Sequence, residues 1–87
     1  MEITIDYYKL SDDKQMGDGK RIPQGQELIL IKEDCDDGLL FLETHDDDSK
    51  KLFWASKVEV EFVDSVSEEW SDEKINERNR YINGDFI

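Results

Sequence analysis

Ile3, Ile5 and Tyr7 alternate with Glu2, Thr4, Asp6 and Tyr8. That two-residue period belongs to a strand with one face against a core, and it predicts a strand over residues 2–9. Residues 10–26 hold three glycines and the single proline with few apolar side chains, the composition of a long mobile loop. Two short apolar runs follow, Glu27 to Glu33 and Leu39 to Thr44. The segment between them ends in Asp37-Gly38, and an Asp-Gly pair between two strand-forming runs signals a hairpin because glycine accepts a positive φ. His45 to Lys50 is a second polar turn. Lys51 to Ala55 and Val58 to Val63 complete a set of five predicted strands, the last with Val58, Val60 and Phe62 on one face. From Ser65 the pattern changes. Ser65-Val66-Ser67-Glu68 fits a capping box and Ser71-Asp72 offers a second N-cap, while Trp70, Ile75, Tyr81 and Ile82 form a helical stripe that Gly84 would stop. A helix is predicted over about 68–83.

One feature of the pattern conflicts with a barrel that has a single interior. Leu28 to Ile31 and Leu39 to Leu42 are apolar at consecutive positions, so both faces of these strands need cover. The C-terminal helix can lie across the outer face with Trp70 and Ile75 as anchors, because amphipathic helices are stable mainly through such packing. A partner protein or a second subunit, making a homodimer, is the alternative.

The order of strand, long loop, strand, acidic turn, strand, polar turn, strand, brief break and strand resembles that of SH3-like barrels. Leu52-Phe53-Trp54-Ala55-Ser56-Lys57-Val58-Glu59 is similar to the Leu-Phe-Pro-Ser-Asn-Tyr-Val-Glu stretch between the last two strands of that family. Gly25-Gln26-Glu27-Leu28 resembles the Gly-Asp-x-Leu that opens its second strand, and Asp36-Asp37-Gly38 the acidic loop after it. The resemblance covers about 60 residues. It implies a mainly β fold, a small five-stranded antiparallel SH3-like barrel over residues 1–64, with a C-terminal α-helix over 65–87 packed on it as part of one domain. It also implies binding of proline-rich ligands, which the family grips on an aromatic floor. Most of that floor is replaced here: Trp54 and Lys57 stand where the family has Pro and Tyr, and Leu39 where it has Trp.

The chain is 87 residues long with one cysteine, so a disulfide framework is excluded. Domains of this size bury only about 60–65% of their unfolded surface, which makes stability modest. No apolar run reaches the roughly 18 residues of a membrane span, and Met1-Glu2-Ile3-Thr4 does not open a signal peptide, so a cytoplasmic protein is expected. Candidate chemistry is sparse. His45 and Cys35 fall in different turns, and no serine has an evident base and orienting acid. Asp34, Asp36, Asp37 and Gly38 suggest a calcium loop until counted. From Asp34 the glycine falls at position 5 instead of 6, and position 12 is His45 instead of glutamate. No enzyme, metal or cofactor is expected.

The charge is the strongest signal left: 23 acidic against 11 basic residues, a formal net charge of −12. Residues 1–64 carry 17 acidic and 8 basic side chains, the remainder 6 and 3, so the acidity spans the molecule. Direct nucleic-acid binding is disfavoured for want of a basic stripe. Acidic surfaces keep small proteins soluble. Carboxylates fixed on a rigid scaffold can also occupy a basic cleft built for phosphates, with electrostatic steering of association. In the SH3-like topology Asp12, Asp13 and Asp18 of the long loop face Asp34, Asp36 and Asp37 across one groove. Glu59 and Glu61 would point the same way about 6–7 Å apart on the fifth strand. Trp54 and the outer residues Ile29 and Ile31 would supply the desolvated anchors that charge alone cannot. The expected partner is therefore a basic protein surface, most naturally a nucleic-acid-processing enzyme inhibited by a decoy, a role that suits a small acidic chain encoded by a phage or mobile element. The alternative is an adaptor or immunity-type module that binds through a hydrophobic patch with an acidic rim.

Overall fold

The alternation at the start of the chain becomes β1 (Glu2–Leu10), and the later apolar runs become β4 (Glu27–Asp34) and β5 (Leu39–Thr44). The computed structural model describes residues 1–17, 19, 21–34, 38–44 and 52–83. The long loop holds two short strands, β2 (Lys14–Gln15) and β3 (Arg21–Ile22), which pair with each other. After β6 (Leu52–Ser56) a 3₁₀ turn (Lys57–Glu59) leads into β7 (Val60–Glu69), and α1 (Asp72–Asn83) follows. The main sheet is antiparallel with strand order β6-β5-β4-β1-β7. The expected mainly β unit of five antiparallel strands with a C-terminal helix is therefore present. The sheet is not closed: among the described residues β6 and β7 form its two edges.

Two apolar clusters lie on opposite faces of the sheet. Leu10, Ile22, Leu28, Leu40, Leu42, Phe53, Ala55 and Val60 form the larger. Ile5, Tyr7, Ile29 and Trp70 form the smaller, with Ile3 and Ile75 packed against it. The consecutive apolar positions of β4 divide between them, Leu28 to the larger and Ile29 to the smaller; β5 gives Leu40 and Leu42 to the larger, with Phe41 buried on its other face; and β1 gives Ile5 and Tyr7 to one cluster and Leu10 to the other. Ordinary alternation along each strand makes this sharing possible, and two irregular pairings add to it by bending the sheet. β1 and β7 shift register after Tyr7, so that Tyr7 opposes Asp64 but Tyr8 opposes Phe62. Extra residues of this kind, here Val63, raise local twist and bend the strand. β4 shifts likewise between Leu30 and Lys32, which puts Lys32 beside Phe41 and, one strand further on, Trp54.

The helix is the cover for the outer face of β4. Ile75 enters the smaller cluster, Arg78 donates to the Leu30 carbonyl at 3.3 Å, and the Lys32 ammonium donates to the Ile82 carbonyl at 3.2 Å. Ile29 and Ile31 are consequently buried at 4% exposure each, and are not the free outer anchors expected of them. The helix also starts later than residue 68. Residues 65–68 belong to β7, where they pair with β1 from Asp6 back to Ile3, and a ladder of backbone hydrogen bonds there outcompetes an isolated capping box. The expected second cap is the one used: Ser71 Oγ accepts the Lys74 N–H at 3.2 Å. The Ser-x-x-Glu pair that closes on itself lies upstream, where Glu59 accepts the Ser56 N–H at 3.1 Å. That 3₁₀ turn takes Val58 out of the fifth strand and leaves it 87% exposed.

The long segment between β1 and β4 is tied at its base and contributes to the core. Leu10 and Gln26 are joined by an N–H to carbonyl bond of 3.3 Å, Gly25 donates to the Leu10 carbonyl at 3.0 Å, and Ile22 is buried. Gly38 closes the β4–β5 hairpin at φ +66°, as the Asp-Gly signal predicted.

Trp70 is 4% exposed and its loss would open the smaller cluster. Trp70→Ala should destabilise the protein by about 3–5 kcal/mol in urea titrations, as for other buried aromatic truncations. Trp54→Ala, at a 40% exposed edge position, should cost about 1–2 kcal/mol.

Candidate functional site

The residues singled out from the sequence do not form one surface. Asp12 is exposed, and Asp13 is a tie within the long segment, accepting from the Arg21 guanidinium and from the Gln24 N–H at 2.7 Å. The Gln24 backbone hydrogen bond, with Arg21 beside it, holds the Asp13 carboxyl below its ordinary value. Glu59 lies in the 3₁₀ turn and not on a strand, so it does not align with Glu61. It pairs with Lys14 of β2 at 2.8 Å, and this bond with that from Ser56 depresses its pKa. Glu61 faces Lys9 across the β1–β7 ladder, their charged ends 3.4 Å apart. Asp13 and Glu59 therefore fasten the two ends of the β2–β3 hairpin, one to each of its strands. Asp34 ends β4 and its carbonyl accepts the Gly38 N–H at 3.1 Å. Asp18, Asp36 and Asp37, with Cys35 and His45, lie outside the described residues. Trp54 sits on the far edge, stacked on Phe41 with ring centres 5.0 Å apart and the Lys32 ammonium 5.6 Å from its own ring. β6 and β7 are at opposite ends of the strand order, so Trp54 and Glu61 are on different edges.

A second constellation was not legible from the sequence. Tyr7, Glu27, Val63, Asp64, Val66 and Glu68 line an open cavity of about 250 Å³ where β1, β4 and β7 meet. Pairing across β1 and β7 puts Tyr7 with Asp64 and Ile5 with Val66 on one face. Glu68 accepts hydrogen bonds from the Tyr7 hydroxyl and, at 3.1 Å, from the Trp70 indole. Burial raises the Tyr7 phenol well above its ordinary value, with the Glu68 bond and the negative charges of Glu68, Glu27 and Asp64 adding to the effect. A phenol this firmly protonated is a hydrogen-bond donor and not a proton acceptor at neutral pH. The site offers negative potential beside two exposed valines. The missed signal is the bulge at Val63, which breaks strict alternation over 62–68, and the assignment of Glu68 to a helix start concealed that it belongs to a strand.

The cations close to the sheet are largely committed. Lys9, Lys14, Arg21 and Lys57 pair with Glu61, Glu59, Asp13 and Glu33. Lys32 and Arg78 donate to carbonyls, and the Lys74 ammonium lies 4.2 Å from the centre of the Trp70 ring. Among the described residues no group of three or more His, Cys, Asp or Glu side chains is placed to hold a metal ion, and no helix is long and apolar enough to cross a membrane. Compared with protein-family models, with curated proteins and with solved structures, the chain gives no match.

Glu59 supplies a pH test of this arrangement. Its folded pKa is depressed, so its contribution is present above the ordinary 4.5 and is lost as pH falls through the folded value. Its side chain is 43% exposed, and solvent screening limits the effect to about 1 kcal/mol or less. Glu59→Gln should therefore lower stability by that amount at pH 7 in chemical denaturation, and the difference from wild type should vanish in acid.

Proposed function

We propose that the protein is a non-catalytic acidic binding or inhibitory protein that docks on a basic surface of another protein. The favoured target is a nucleic-acid-processing enzyme whose phosphate-binding cleft it occupies as a decoy, and a phage or mobile element is a fitting source for such a chain. The scaffold in this reading is an SH3-like barrel left partly open. Its support is the strand order β6-β5-β4-β1-β7, the hairpin within the first long segment and the 3₁₀ turn between β6 and β7.

The observation that carries the reading is the uncompensated charge. With 23 acidic and 11 basic residues, and most of the cations near the sheet held in local contacts, a net negative field faces outward from a rigid sheet. Such a field raises association rates with a basic partner and falls off with added salt. The titratable groups of the described cavity are three carboxylates and a phenol whose proton is tightly held, a set suited to binding cations and not to nucleophilic attack. A second reading has its own support. Phe62 is 57% exposed, its ring edge-to-face with Tyr8 at 5.5 Å. An adaptor or immunity-type module would use such an apolar patch with acids at its rim.

Affinity capture from cell extracts should recover a nucleic-acid-binding protein, with DNA or RNA competing for the same site. Association should slow about tenfold or more between 50 and 200 mM salt, roughly as expected for a steered complex. Binding that is insensitive to salt and lost on Phe62→Ala would establish the adaptor reading in its place.

A further inference from the structure

β7 has ten residues, and its inner edge pairs with β1 from Glu2–Glu69 to Leu10–Val60. Among the described residues no strand pairs with its outer edge. Every residue from Glu61 to Ser67 is exposed, including Val63 at 50% and Val66 at 38%. Unpaired N–H and C=O groups along such an edge template the addition of another strand. Proteins ordinarily blunt an edge with charged side chains, above all lysine, with proline, with a bulge or with short length; β7 is long and has no lysine or proline, so its only such devices are the bulge at Val63 and its own acids. Its charges are all negative: Glu61, Asp64, Glu68 and Glu69.

The sign of those charges selects the occupant. Two copies of this chain paired through β7 would bring four acids of each strand together, on molecules that each carry −12, and like charges across a strand pair oppose association. A strand bearing lysine or arginine gains where a second copy loses. Side chains of an added strand alternate between faces. Every second residue would therefore lie on the face of Tyr7 and Asp64, where the cavity of about 250 Å³ presents Asp64, Glu68 and Glu27 beside Val63 and Val66. The floor takes the apolar stem of a long basic side chain and the carboxylates take its head.

We propose that the β7 edge binds an extended basic segment of a partner protein by strand addition, with alternate Lys or Arg side chains seated over Asp64 and Glu68. This rests on the reading of the protein as an acidic binder and adds where and how it binds. Backbone hydrogen bonds supply affinity in this mode and alternate side chains supply specificity.

The test uses the full chain and a capped peptide of about eight residues alternating Lys and Val. A second peptide of the same composition is N-methylated at alternate backbone nitrogens, and a third carries Glu for Lys. The expected result is binding of the first peptide, with slowed amide exchange by NMR confined to β7 over Glu61 to Ser67. N-methylation on the pairing edge should abolish binding, the Glu peptide should not bind, and Asp64→Lys should weaken it about tenfold or more. Asp64 is exposed, and circular dichroism of the variant confirms that it folds. Equal binding of the methylated peptide, or exchange protection elsewhere on the chain, overturns the edge assignment while leaving a salt-sensitive acidic binder intact. Failure of the first peptide to bind also overturns it, whereas the broader reading falls only if no basic protein is captured from extracts. Sedimentation showing a dimer that Asp64→Lys alters would give the edge to a second copy and overturn it as well.

Discussion

Both faces of β4 and β5 must be kept from water at once, and the remaining architecture follows from that requirement. Leu28, Leu40 and Leu42 face one way into the larger cluster, while Ile29 and Phe41 lie buried on the other side. Burying apolar area contributes about 25 cal/mol per Å², so neither face can be left bare in a chain this small. The long segment after β1 and the start of β7 close one side through Ile22 and Val60. Trp70 and the helix close the other. A polar knot fixes that second cover: Glu68 accepts from both Tyr7 and Trp70, and the Trp70 N–H donates to the Met1 carbonyl at 2.9 Å.

The same requirement explains why acids and cations are distributed as they are. Several carboxylates expected to face outward hold the frame together. Asp13 and Glu59 each anchor one strand of the β2–β3 hairpin, and Lys57 and Glu33 join the 3₁₀ turn to β4. These pairs commit cations close to the chain's own carboxylates and leave the surplus acids to act at longer range. The negative field is thus a consequence of composition, whereas its local shape is a consequence of which acids the fold uses for itself.

How legible all this was differs by residue. The strands of β1, β4 and β5 stand out because their period and strand-forming side chains agree, and Asp37-Gly38 marked the hairpin correctly. The helix start was misplaced because Ser65 to Glu68 satisfies a local capping pattern as well as a strand pattern, and pairing with β1 decided between them. Val58 was placed in a strand because alternation cannot see a 3₁₀ turn. The cavity around Tyr7 could not be read at all, since it is assembled from β1, β4 and β7, residues up to about sixty positions apart.

Composition and periodicity, which are local or additive properties, were enough by themselves to determine that this is an acidic, mainly β chain whose outer face needs a cover and which ends in a helical segment. Only the tertiary structure decided which element supplies that cover, which carboxylates are consumed as internal ties and which strand is left with an open edge. Those are outcomes of register, bulges and strand order, and a single irregular residue such as Val63 redirects the side chains that follow it without changing any local signal in the sequence.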